Sequence, residues 1–406
     1  MWPLRSKRTL LIVVLLVLCV LMLLVTKKTI RIWQLSTIFD KQNIVENFRS
    51  MPEILNARTI RHSGKDQLFS YHPKSLPVNF DFKQAKNGIN EWIKDSDTTG
   101  LLVLVGDQVV FERYYQGNTA KTTVIAWSVT KSFLSLLIGI ALNEGAISSI
   151  QDPVSRYVPS LKDSAYKKAT IENVLEMSSG VKFNEDYSDR QSDINRLGLV
   201  IGVGGSIDNW LSSLKDAGKP AYKHNYISAD TQVLGMVLKG ATGKGAAEYM
   251  QEKLWSRLGA ECDGKWLTDD YGTELVFGGL NLCLRDFARL GLLYLHKGRN
   301  QAGDAIVDER WILNSTQTTK NYLLPGRFEE EGQPNLGYGY QWWIPKGDEG
   351  EFMAIGVYGQ FIYVNQQRQV VIAKTSAYAN YNEDGVLMEY KTLEAFRAIA
   401  RQMVQN

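Results

Sequence analysis

Ser128-Val-Thr-Lys131 sets a hydroxyl and an amine three residues apart, so a helix would carry both on one face, one turn apart. A serine hydroxyl is a poor nucleophile until a base takes its proton. A lysine in apolar surroundings holds its own proton less tightly, and so can be that base. The spacing alone is weak, because the chain holds four S-x-x-K tetrads, at Ser128, Ser164, Ser179 and Ser212. Only the first opens a long apolar run, Ser132 to Gly145, which predicts a buried helix closed by a glycine. Its amino terminus would aim free N–H groups at whatever approaches Ser128. The competing reading makes Ser128 a plain N-cap and Lys131 a solvated first-turn charge.

Other nucleophiles are poorer. There is no G-x-S-x-G elbow and no histidine placed for a triad. His224, in a polar loop, is expected at the surface. Cys262 and Cys283 lack basic neighbours, and whether they pair is left open. Without C-x-x-C or H-E-x-x-H no metal is expected, and no other cofactor. Gly243-Lys244-Gly245 lacks the rest of a phosphate loop. The net charge of +3 comes from the first 28 residues, which hold five bases and no acid; the rest has 41 bases against 43 acids. A body that neutral does not suggest a nucleic-acid partner.

The elements around the tetrad suggest how it is held. Leu101–Val105 and Val109–Tyr115 flank Gly106-Asp107, a hairpin signal. Gln360–Asn365 and Val370–Thr375 flank a polar turn and precede a helical pattern from Met388 to Met403. Strands at both ends of the chain predict one sheet, built from residues 66–147 and 301–406. Residues 148–300, rich in helical pattern and glycine punctuation, would be an insertion. Residues 29–65 read as a polar connector.

Leu10–Val25 is sixteen apolar residues without a break, flanked by Arg5, Lys7, Arg8, Lys27 and Lys28. At 1.5 Å per residue it reaches about 24 Å, near the lower limit for crossing hydrocarbon. Cleavage as a signal peptide wants small residues, and the first alanine is Ala57. The expectation is an uncleaved membrane anchor over residues 1–28, a single transmembrane helix, with the body on the periplasmic or extracytoplasmic side.

Six landmarks then fall in a familiar order: Ala126-Trp-Ser-Val-Thr-Lys131, Leu175-Glu-Met-Ser-Ser-Gly180, Tyr226-Ile-Ser228, Arg285-Asp-Phe-Ala-Arg-Leu-Gly291, Gly337-Tyr-Gly-Tyr-Gln-Trp-Trp343 and Gly356-Val-Tyr-Gly-Gln360. From about Glu46 to Met403 the chain resembles the serine β-lactamase and penicillin-binding-protein superfamily. The details look closest to its class C-like branch, which includes esterases and 6-aminohexanoate-dimer hydrolases. The resemblance implies an α/β (α+β) fold, a central antiparallel sheet flanked by helices, with an inserted all-helical domain and the active site between the two.

It also implies roles. Ser128 would be the acyl-accepting nucleophile, Lys131 its activator and Tyr226 the proton shuttle to the leaving group, ionised or strongly polarised by the Lys131 ammonium. Ser228 stands where many relatives have asparagine and would hydrogen-bond substrate or lysine. The glycine of the third motif is Gly359, which puts Val357 and Tyr358 where relatives have lysine and threonine. Valine cannot pair with a substrate carboxylate, which favours a neutral amide or ester. The N–H groups of Gln360 and Ser128 would form the oxyanion hole. Tyr187 would overhang the pocket, and Trp342 with Trp343 would wall it. Together these imply a membrane-anchored serine hydrolase acting on a small amide or ester. The alternative is a catalytically silent, penicillin-binding-like envelope binding or assembly protein.

Overall fold

The computed structural model describes residues 4–64, 67–326 and 336–404. The short gaps at 65–66 and 327–335 fall inside the ranges read above as connector and sheet domain, and lie outside the described residues. Among those described, the strands are β1 (Ala57–Ile60), β2 (Ser70–Tyr71), β3 (Asn79–Phe82), β4 (Ala85–Gly88), β5 (Thr98–Val105), β6 (Gln108–Tyr114), β7 (Thr123–Ile125), β8 (Gly264–Leu267), β9 (Leu280–Cys283), β10 (Gly337–Tyr338), β11 (Trp343–Ile344), β12 (Glu351–Gly356), β13 (Gln360–Asn365) and β14 (Val370–Ser376). One sheet runs β10-β11-β12-β13-β14-β5-β6-β2; β2 is parallel to β6 and the other pairs are antiparallel.

Alternation along the strands gives this sheet two dry faces. On β5, Leu102 and Leu104 face the central helix Val129–Asn143 and the helix Leu284–Leu295. Leu101 and Val103 face the helix Ile89–Asp95 and the C-terminal helix Tyr381–Val404. The central helix is buried from Val129 to Ala141, as its all-round apolar sequence predicts, and packs on β12, β13 and the helix Ser228–Thr242. That contact fixes the serine at its amino end between sheet and insertion.

Two expectations need correction. The inserted domain, all-helical by the resemblance, holds strands as well as the helices read over residues 148–300. β8 and β9 lie within those residues and join β1 and β7 in a second antiparallel sheet, in the order β1-β8-β9-β7. Cys262 and Cys283 are disulfide-bonded at its edge.

The transmembrane helix is also overturned. The first helix runs Leu4–Ser36, and among the described residues no helix is long and apolar enough to cross a membrane. Sixteen apolar residues fall short of the roughly twenty that a span needs. The helix also continues past its basic cluster into contact with the body: Lys28 donates to the Val203 carbonyl, and Arg31 pairs with Asp270 at 2.6 Å while donating to the Gly202 carbonyl. Lys28, at the end of the expected anchor, and Arg31 just beyond it are thus held on the insertion. The single-pass membrane anchoring expected of this segment is therefore corrected, and the membrane partner inferred from it with it.

Candidate active site

Ser128 takes the N-cap position of the central helix, yet its side chain makes no capping bond. The plain-cap reading is thereby excluded. Lys131, one turn on and 2% exposed, donates instead to Ser128 Oγ at 2.9 Å. The same ammonium donates to Ser228 Oγ at 3.2 Å and to the Phe277 carbonyl at 2.7 Å. Burial lowers its pKa to about 8, against the opposing pull of the Glu185 carboxylate. As a free amine, Lys131 has two N–H donors for Ser228 and Phe277 and one lone pair for the Ser128 proton.

Tyr226 reaches the site from the loop that leads into the helix Ser228–Thr242. Its ring stacks on Trp343, centroids 5.3 Å apart. Burial pushes the phenol pKa up, and the nearby Ser128 hydroxyl offsets only part of that. Tyr226 is therefore a neutral phenol at ordinary pH, which leaves polarisation, of the two states expected from sequence, as the one open to it. The physical reason is burial of the phenol; Lys131 Nζ sits 5.2 Å from its ring centroid, with its protons directed to Ser128, Ser228 and Phe277.

Glu185 is the residue that the sequence reading missed. Its Oε1 accepts from Ser228 Oγ at 2.5 Å and from the Tyr187 hydroxyl at 2.9 Å, and its Oε2 accepts from Ser228 N–H at 2.8 Å. Burial raises its carboxyl pKa, while Lys131 and the Ser228 bonds pull it back. Ser228 and Tyr187 thus meet at one carboxylate, and Ser228 links that carboxylate to Lys131. Sequence held a signal for this. Burial alternates along Val181, Phe183, Glu185 and Tyr187, with Lys182, Asn184 and Asp186 outside, so a period of two places Glu185 inward. The exposed acids beside it masked the pattern.

The opposite wall is the tight turn between β12 and β13. A Cβ on Gly356 would lie 2.7 Å from the Ala126 carbonyl and 3.2 Å from Ser128 N, so this turn abuts the nucleophile's backbone. Gly359 has φ +90° and its missing Cβ would strike Ser376 Cβ at 2.8 Å, a place only glycine fills. Trp127 (φ 43°) and Tyr358 (φ 61°) precede Ser128 and Gly359 in left-handed backbone, strain of the kind that collects at working sites. The Gln360 side chain is clamped to β14, Nε2 donating to the Ser376 carbonyl at 2.7 Å and Oε1 accepting from Ser376 N–H at 3.2 Å. Its amide group is thereby committed to β14. Tyr358 is 3% exposed and stacks on Phe39 at 4.4 Å and on Tyr381 at 5.0 Å. Val357 brings no charge to this wall.

Two residues fall elsewhere than expected. Trp342 is 0% exposed, packed between Tyr294 and Phe352 at 4.5 and 5.2 Å; of the tryptophan pair it is Trp343 that touches the site. His224 is not a free surface group. It packs on Tyr338 at 4.7 Å and on Trp343, and burial lowers its pKa to about 4, so it stays neutral.

Residues 90–396 match the Beta-lactamase family. The chain is 28% identical over 297 residues to the 6-aminohexanoate-dimer hydrolase of Paenarthrobacter ureafaciens, covering 71% of this chain and 75% of that one. Its fold is similar to that of a Bacillus anthracis protein assigned as a 6-aminohexanoate-dimer hydrolase, with TM-score 0.80, 22% identity, and 90% and 96% of the two chains covered. It is also similar to EstCE1, a hydrolase with promiscuous acyltransferase activity, with TM-score 0.61, 16% identity, and 77% and 96% covered. With most of its length inside the matched region, the chain belongs to the Beta-lactamase family, as a serine hydrolase of the amidase or esterase kind.

Proposed function

We propose that this protein cleaves a small neutral amide or ester through an acyl-enzyme on Ser128. Lys131, as free amine, takes the Ser128 proton while Oγ attacks the carbonyl carbon. The N–H groups of Ser128 and Gln360 hold the oxyanion that forms. Tyr226 gives its proton to the departing amine or alcohol and is reprotonated from Lys131, whose added proton it relays. Water then repeats the sequence on the acyl carbon and frees Ser128. Ser228 and Glu185 keep Lys131 aimed at the nucleophile. The observation that carries this reading is the 2.9 Å contact between Lys131 and an uncapped Ser128, with the lysine proton weakened by burial.

The curated relative's name speaks for amides, and the other hydrolase's for acyl transfer. Val357 at the wall where a cation would pair with a carboxylate speaks for neutral substrates. Ser128→Ala should abolish hydrolysis of p-nitrophenyl acetate and leave the melting temperature nearly unchanged. Turnover retained in that variant would show that the nucleophile is another residue.

A further inference from the structure

A second buried lysine lies on the far side of the large sheet. Lys374 on β14 pairs across with Leu101 of β5 and Phe361 of β13, so it faces away from the central helix. It is 0% exposed, and its ammonium donates to the Ser376 hydroxyl and sits 5.5 Å from the Trp92 ring and 5.8 Å from Phe361. Nothing in the mechanism above uses it. Yet its Nζ would be 3.6 Å from a Cβ on Gly359, and the residue it binds, Ser376, is the one clamped through its backbone to the Gln360 side chain.

We infer that Lys374 is a positioning residue for the oxyanion turn: its ammonium, set behind Gly359, holds the turn through Ser376 and adds positive potential beneath the Gln360 N–H. This rests on the proposal that Gln360 N–H receives the acyl oxygen. A charge in a dry box acts over several ångströms with little screening, and preorganised charge aimed at a developing oxyanion is where catalysis gains most. The box is nearly free of other charge. The turn ahead of β5 brings Asp97, whose field favours the ammonium, and that carboxylate is tied to the Ala379 N–H. Trp92 comes from the helix Ile89–Asp95 and Phe361 from β13, while Phe396 and Thr392 of the C-terminal helix back Trp92. Burial lowers the lysine pKa to about 7, so the potential would be present below that pH and fade above it.

The test is Lys374→Met in the full chain, with kcat for p-nitrophenyl acetate measured from pH 6 to 9. The side chain of methionine imitates the neutral lysine. The ratio of wild-type to variant kcat should be about ten at pH 6, a fraction of the effect of losing an oxyanion donor outright. It should fall towards one above pH 8, with KM little changed. The melting temperature should not fall, since a costly buried ammonium is removed. A ratio of one throughout, or a loss equal at every pH, would overturn the inference, and Ser128→Ala measured beside it tells the two proposals apart. Should Lys374→Met fail to fold, Ser376→Ala supplies the reading. Untethered, the ammonium releases its proton more readily, and the pH at which wild-type and variant kcat diverge moves down. An unmoved profile overturns the inference.

Discussion

Lys131 and Lys374 are both buried, at 2% and 0% exposure, and each donates to a serine hydroxyl. Burial lowers both, to about 8 and about 7. What separates them is what stands in front of the serine. Ser128 sits at a helix amino terminus, 8% exposed, with the Tyr226 phenol near its hydroxyl and a backbone turn alongside. Ser376 ends a strand at 1% exposure, in a box of aromatic rings. A weakened lysine beside a serine is thus insufficient for acyl transfer. In the mechanism proposed above, access, an acid for the leaving group and donors for the oxyanion make the difference. The serine–lysine motif locates a nucleophile only through the helix that presents it.

The comparison is broken most directly at Lys131. Lys131→Met should lower kcat/KM for p-nitrophenyl acetate by about 10³-fold or more, the scale expected when a nucleophile loses its base. Stability should move the other way. The folded-state pKa of about 8 lies below the ordinary lysine value, so the burden of keeping a buried ammonium is fully present below pH 8. It shrinks as pH rises through that value towards the unfolded pKa. The variant should therefore melt no lower than wild type at pH 7, as measured by calorimetry. A variant that keeps wild-type turnover would make Lys131 a structural lysine like any other.

Glu185→Gln sharpens the comparison with a smaller effect. The Glu185 charge raises the Lys131 pKa against burial. Glutamine preserves a hydrogen-bond partner for Ser228 but removes that charge. The pH at which kcat/KM rises to its plateau should move below about 8, by up to one unit. A shift to higher pH, or no shift, would show that Glu185 does not govern the amine. Lys374 has Asp97 in the corresponding place, at the turn before β5, so each lysine is biased by one carboxylate.

Much of the site was legible because local chemistry and position coincide. The helix behind the tetrad is buried as read because an all-apolar helix has no face to give to water, and that burial lowers the pKa of its lysine. The hairpins Leu101–Tyr115 and Gln360–Thr375 read correctly because strands buried on both faces show as short apolar runs, here set off by polar turns. Glu185 was hidden by acidic neighbours that point the other way, although the alternation from Val181 to Tyr187 carried it. Trp342 and Trp343 are adjacent and chemically alike, so only the register of β11 decides which one meets Tyr226. The state of Tyr226 is set by how deeply the fold buries its phenol, which a three-residue motif does not carry. The N-terminal helix misled because hydropathy weighs residues one by one. The docking of Arg31 on Asp270, 239 residues away, is a tertiary event. β8 and β9 were lost among helices because each is a four-residue strand that gains its identity from β1 and β7.

The central claim is that the free amine of Lys131 activates Ser128. It is tested most directly by the rate at which a fluorophosphonate acylates the folded protein as pH is raised, with the modified peptide mapped by mass spectrometry. The account predicts one adduct, on Ser128, forming faster as pH climbs and levelling off beyond about 8. An adduct on another residue, or a Ser128 adduct whose rate ignores pH across that range, would contradict it.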